Sequence, residues 1–277
     1  MVSLGTFVGI TVLGVAAGLM GAMVGLGGGI LIVPLLTLVF HVPIHNAIGA
    51  SIVAVIATSS SAASTYVNDR LANIRLGMTL ETFTTIGAVT GGLVAGAISK
   101  NALNGIFGTV MILVAATMFR RKSEGRIIPK DPDDRLGGDY YDPYLKKEVT
   151  YKVRNVPIGL AASFIAGNLS GLLGIGGGVV KVPAMTLGMG VPVKAATATS
   201  NFMIGVTAVA SAFIYFSRGM IDPLITAPAA IGVFLGARLG ARIAPGINTR
   251  HLLSIFVVVM VAMAIQMILK AFGIEVR

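Results

Sequence analysis

The sequence predicts an all-α polytopic membrane protein made of two homologous halves, with about 8–10 membrane helices, two of them short and broken by glycine. Three observations carry this reading. Of the 277 residues 55% are hydrophobic and only 12% charged, about half the charged share of a soluble domain, and the mean hydropathy is +0.88. Uncharged apolar runs long enough to cross a hydrocarbon core of about 30 Å recur along the chain. The second half also repeats motifs of the first in register. Cysteine is absent, which excludes disulfides, thiolate metal sites and cysteine nucleophiles.

The predicted elements are, in order, 4–24, 29–40, 46–66, 79–99 and 101–119, then 156–173, 178–190, 194–216, 223–245 and 250–272. The first lacks a basic start and a small-residue cleavage site, so it reads as a retained helix rather than a signal peptide. The segments 29–40 and 178–190 each follow a triple glycine and carry a proline near the middle, the pattern of half-helices, re-entrant pieces or short spans. Within the longer runs, Gly87-xxx-Gly91, Gly167-xxx-Gly171 and Gly232-xxx-Gly236-xxx-Gly240 place small residues one turn apart, as close helix packing requires.

The organisation is a first transmembrane repeat at 1–119, a charged cytoplasmic loop at 120–154 and a second repeat at 155–277. The loop holds 10 Lys/Arg and 7 Asp/Glu, with three prolines and the Gly137-Gly138 pair. Basic residues beside membrane helices mark the cytoplasmic side. No basic and stacking aromatic residues alternate there, so the net charge of +10 implies no nucleic-acid partner. The partners are the lipid bilayer and a small-molecule anion.

Gly25-Leu-Gly-Gly-Gly-Ile-Leu-Ile-Val-Pro34 returns 149 residues later as Gly174-Ile-Gly-Gly-Gly-Val-Val-Lys-Val-Pro183. At the same offset Val42-Pro43, Ala47, Ser51, Tyr66, Phe107 and Met111 meet Val191-Pro192, Ala196, Ser200, Tyr215, Phe256 and Met260. Duplicated bundles with helices interrupted at equivalent places are the pattern of secondary transporters, whose substrate sits near the midplane. Five elements per half invert the second copy relative to the first, which we prefer. Four spans per half with re-entrant dips would leave the copies parallel, and Arg218, Lys270 and Arg277 favour that alternative.

Broken backbone in lipid must face protein, water or substrate, and a helix starting there presents free N–H groups and its positive dipole end, which suit an anion. Gly27, Gly28 and Gly29, with Gly176, Gly177 and Gly178, are therefore candidate substrate contacts; the alternative is that they only permit a tight crossing. Lys181, opposite Ile32 of the first copy, is a candidate counter-charge or else a residue snorkelling to an interface. Arg238, nearly two turns inside its helix, is a candidate anion contact or an interface anchor. Ser51, Thr199, Ser200 and Asn201, early in the helices after the short segments, would complete an oxyanion cage or bond a neighbouring helix. Asp69, Glu81 and Asp222 could couple protons, but they lie near predicted helix ends and read instead as topological or capping residues. His41 and His45 lack nearby carboxylates and make a poor metal site. No catalytic constellation or cofactor motif stands out, and the first glycine run lacks the Lys-Ser/Thr of a phosphate-binding loop.

The doubled Gly-x-Gly-Gly-Gly-x4-Pro motif, followed by Ala47 to Ser51 and by Ala196 to Asn201, resembles the TauE/SafE sulfite exporter family over both halves. The resemblance implies a bacterial or archaeal plasma-membrane permease, no enzyme, that moves sulfite, sulfonates, sulfoacetate or other organic anions, usually outward, with a proton or sodium as a possible coupling ion. An anion channel, or a structural membrane subunit of a larger complex, is the alternative from another class.

Overall fold

The computed structural model describes residues 4–24, 28–119, 136–142, 146–243 and 249–274. The candidate Gly27 and most of the first part of the charged segment lie outside these residues. The elements are α1 (Leu4–Val24), α2 (Gly29–Pro34), α3 (Ile44–Asn68), α4 (Ile74–Ala95), α5 (Lys100–Phe119), β1 (Gly138–Asp142), β2 (Lys147–Tyr151), α6 (Val156–Leu173), α7 (Gly178–Pro183), α8 (Val193–Ser217), α9 (Pro223–Ile243) and α10 (Thr249–Ala271). Among the described residues, six helices (α1, α3, α5, α6, α8 and α9) are long and apolar enough to cross a membrane. The chain is an all-α polytopic membrane protein with almost no sheet.

The two short helices are built alike. Gly28 and Gly177 precede them with φ of 69° and 72°, the left-handed region that costs glycine nothing. The Gly28 carbonyl accepts from the Leu31 and Ile32 N–H groups, and the Gly177 carbonyl from those of Val180 and Lys181. Pro34 and Pro183 then bring no N–H of their own, and each helix widens into a π-helical turn, Leu35–Val39 and Ala184–Gly188. Val42 N–H closes the first turn on Leu36 O and Val191 N–H the second on Met185 O, both at 2.9 Å. These are equivalent atoms in the two halves.

The halves pack by reciprocal pairs. α1 lies along α9 and α4 along α6, α3 crosses α8, α5 packs on α10, and the α3–α9 contact has its counterpart in α8–α4. Glycine sets the first two pairs. A Cβ on Gly232, Gly236 or Gly240 would overlap the carbonyl of Thr11, Val15 or Leu19, and one on Gly167 or Gly171 that of Thr84 or Ala88. The rising register shows that these helices run in the same direction. Equivalent helices run oppositely: Gly49 of α3 meets Met220 just beyond α8, while Ser59 meets Asn201 and Gly205. Gly105 and Gly108 of α5 likewise meet Ala271 and Ile268 of α10. The repeat partners Phe107 and Phe256, Met111 and Met260 are all fully buried. Tyr66 and Tyr215 each donate to a carbonyl at the end of the first helix of a half, Ala22 O and Leu172 O.

Two elements differ from expectation. Helix α4 starts at Ile74 rather than 79, because the Asn73 side chain caps it by accepting the Leu76 N–H at 3.0 Å. Glu81 thereby falls two turns inside a helix, and its reading as an end residue is corrected. The charged segment also contains an antiparallel hairpin, β1–β2, whose Tyr140, Val149 and Tyr151 are buried. It docks on the α3–α4 turn, where Asn73 Nδ2 donates to Leu136 O and to the Tyr151 hydroxyl, and Lys194 pairs with Asp142 at 2.7 Å. The charges masked a period of two in the buried side chains, the mark of a strand.

Because the α1–α9 contact has no room for a side chain, Gly236→Val is expected to push the helices apart at a cost of about 3 kcal/mol or more. Gly9→Ala, whose Cβ would sit 3.4 Å from the Phe40 ring, should be neutral. Thermal unfolding of the two variants in detergent, followed by size-exclusion chromatography, checks the difference.

Candidate functional site

The two glycine turns meet. Gly29 packs directly against the Gly174 carbonyl, leaving no space for a Cβ. The Ser51 hydroxyl, fully buried, donates to Gly174 O at 2.8 Å and lies 3.3 Å from Gly29 O. Ser51 therefore ties the start of α2 to the turn before α7, satisfying the Gly174 carbonyl that the end of α6 leaves open. Gly28 sits under α1 and α3, where an added Cβ would stand 3.4 Å from Ala17 O and from Thr58 Oγ1. Gly176 and Gly177 both adopt positive φ, and a Cβ on Gly177 would press on Ala166 O at 2.8 Å. Gly178 is buried at the head of α7.

Lys181 does not snorkel. Its side chain is fully buried, with Nζ 3.4 Å from Glu81 Oε2 and 3.0 Å from Thr207 Oγ1. The Thr207 hydroxyl donates to Glu81 Oε1, and Thr85 adds a longer bond to the same oxygen. The result is a closed cluster joining α4 of the first half to α7 and α8 of the second. A charge at this depth is tolerable only when paired and hydrogen-bonded. Its counterparts in the repeat carry no charge: Ile32 stands for Lys181, Thr58 for Thr207 and, with Ile86-Gly87 and Gly91 of α4 set against Ile231-Gly232 and Gly236 of α9, Thr226 for Glu81. Thr226 Oγ1 is buried without a partner among the described residues.

The remaining candidates separate. Thr199 accepts the Asn73 backbone N–H at 2.9 Å and so fixes the α3–α4 turn. Asn201 donates through Nδ2 to Ala22 O and Thr197 O, and its Oδ1 is buried with no partner among the described residues. Ser200 is buried on α8 beside them. Arg238 is exposed and lines a cavity of about 320 Å³ with Ser60, Ser64, Asn68, Phe234 and Arg242; none of the other candidate residues borders it. Among the described residues no group of three His, Asp or Glu has metal-site geometry.

Sequence reasoning named Glu81 but placed it at a helix end, and it missed Thr207. Asn73 as a helix cap was the available signal for Glu81, and the offset of 149 that links Thr58 to Thr207 was the one for the hydroxyl. Removing one member of the buried pair strands the other charge. Lys181→Met or Glu81→Gln alone is expected to cost about 3–5 kcal/mol, whereas the double variant should recover most of that loss. A double-mutant cycle of thermal stability in detergent measures the coupling, and additive losses would contradict it.

The family model described as Sulfite exporter TauE/SafE matches residues 10–267. The chain is 32% identical over 273 residues to the "Probable membrane transporter protein YunE" of Bacillus subtilis (strain 168), covering 95% of this chain and 97% of that one. It is 26% identical over 256 residues to the "Probable membrane transporter protein MJ0441" of Methanocaldococcus jannaschii, covering 87% of each. A second Bacillus subtilis relative, "Probable membrane transporter protein YdhB", is 25% identical over 229 residues, 81% of this chain and 85% of its own length. No solved structure matches the chain. The doubled glycine motif, the reciprocal helix pairs and the match over nearly the whole length agree: this multi-pass membrane protein belongs to the TauE/SafE sulfite exporter family of membrane transporters.

Proposed function

We propose that the protein is a secondary transporter of the plasma membrane that exports or exchanges a sulfur-containing or organic anion by alternating access. The observation that carries this reading is the meeting of the two broken helices, Gly29 on Gly174 under the Ser51 hydroxyl. Equivalent interruptions from two repeats converge where transporters of this kind bind substrate. Opposite directions of the equivalent helices α3 and α8, and of α5 and α10, support a five-element half inserted in inverted orientation, so that exchanging the conformations of the halves turns an inward-open carrier into an outward-open one.

Lys181 supplies the cation for a sulfite, sulfonate or carboxylate group, next to the turn at Gly176, Gly177 and Gly178. In the closed arrangement Glu81 and Thr207 hold that cation. An anion that takes the place of Glu81 leaves a buried carboxylate without its partner, which is costly unless the carboxylate takes up a proton. The same residue then links anion binding to proton binding, making the proton the coupling ion. Ser51, Ser200 and Asn201 serve this centre as the hydroxyl and amide groups that shape the junction, while Thr199 sets the turn before α4.

In proteoliposomes the protein is expected to exchange at least one member of a panel of sulfite, taurine, sulfoacetate, sulfate and short carboxylates, with net flux driven by a pH gradient. Glu81→Gln should keep counterflow and lose the pH drive. Gly177→Val, which forces a branched side chain into left-handed backbone beside Ala166 O, should abolish both while the protein still inserts. The absence of exchange for every member of the panel under either a proton or a sodium gradient would sink the reading.

A further inference from the structure

We infer that the cleft between α3 and α9 is a binding site for an anionic phospholipid, whose phosphodiester is held by Arg238 and Arg242. The two helices run in the same direction here, since Ser61 donates to Phe234 O at 3.1 Å and residues later in α3 line the cleft with residues later in α9. Each contributes a stripe at i, i+4, i+8 spacing, Ser60–Ser64–Asn68 facing Phe234–Arg238–Arg242. Between the stripes lies the cavity of about 320 Å³.

The chemistry along the cleft is graded. Phe234 lies two turns before Arg242, which stands in the last turn of α9. The flanking Ile231, Leu235 and Leu239 are 48–49% exposed, so this face of α9 lies against acyl chains rather than against protein. Arg238 and Arg242 have no acidic partner among the described residues, and no carboxylate lines the cavity. Two guanidiniums one turn apart match a phosphodiester, which accepts bidentate bonds from arginine. The Asn68 amide lines the same cavity, while Ser60 and Ser64 donate to the carbonyls of Ile56 and Ser61 and leave small side chains there. A free anion would use the charges but not Phe234 or the lipid-facing wall; an amphipathic lipid uses both. The cleft opens at the α3–α4 end of the bundle, where the charged hairpin also docks through Asn73 and Tyr151. Basic segments and anionic headgroups meet on the cytoplasmic face of a membrane.

Delipidated protein in a neutral detergent, titrated with dioleoyl phosphatidylglycerol and followed by native mass spectrometry and thermal shift, tests the site. The wild type is expected to retain one tightly held lipid and to gain several degrees of stability. Arg238→Ala/Arg242→Ala should weaken that binding about tenfold or more. Ser60→Leu/Ser64→Leu, which leaves both arginines and fills the cleft, should weaken it as well and serves if the arginine variant does not fold. Inorganic phosphate and sulfite at millimolar concentration should leave the melting temperature unchanged. Equal stabilisation by either free anion, or equal lipid retention by wild type and both variants, overturns the proposal: the first makes the cleft a soluble-anion site, the second makes the lipid effect a property of the whole bilayer-facing surface.

Discussion

Lipid offers no hydrogen bonds, so every place where this backbone leaves helical geometry must be answered from inside the protein. Among the described residues the turns before α2 and before α7 are such places in equivalent positions, and they meet inside the bundle. The Ser51 hydroxyl donates to the Gly174 carbonyl and sits 3.3 Å from the Gly29 carbonyl, which requires the first half's α3 to lie against the turn before the second half's broken helix. Once that junction is made, α3 must cross α8 and the outer helices must pair reciprocally. Glycine enforces closeness on those outer pairs, and the same residue type provides the left-handed caps Gly28 and Gly177. The glycine excess thus answers two different demands of one solvent.

Much of the fold is legible in the sequence because its signals are periodic. Apolar runs of full length, the small-residue spacing of α9 and the offset of 149 are properties of many residues, and no single side chain can erase them. The glycine turns were equally visible, since a triple glycine inside an apolar run has few uses in a membrane. What escaped depended on one residue each. A cap at Asn73 moved the start of α4, and with it Glu81, from a boundary into the interior. The hairpin was hidden because Tyr140 and Val149 alternate with charges that composition alone assigns to solvent.

The candidate site was legible only in outline for a related reason. Lys181 was conspicuous as a charge in an apolar run, but its partner sits 100 residues away in the other half. Only tertiary packing brings α4 against α7 and α8. Serine and threonine carried the opposite ambiguity: Ser51 reads equally as a substrate donor or as a helix-bonding hydroxyl, and here it bonds carbonyls of both halves.

Duplication makes the single charged cluster informative. If the cluster were needed for folding alone, the equivalent contact among α9, α2 and α3 would need one too; it has Ile32, Thr58 and Thr226 instead, and it packs with fully buried Ile32 and Thr58. The positions equivalent to the charged cluster are thus neutral and buried in the other half. A buried ion pair is at best a weak source of stability beside a well-packed apolar substitute. The charged copy is the one that contains Lys181 beside Gly177, so what distinguishes it is a buried ion pair next to a glycine turn. One half of the duplication holds this position with neutral side chains, and the other places there a buried cation held by a carboxylate and a hydroxyl.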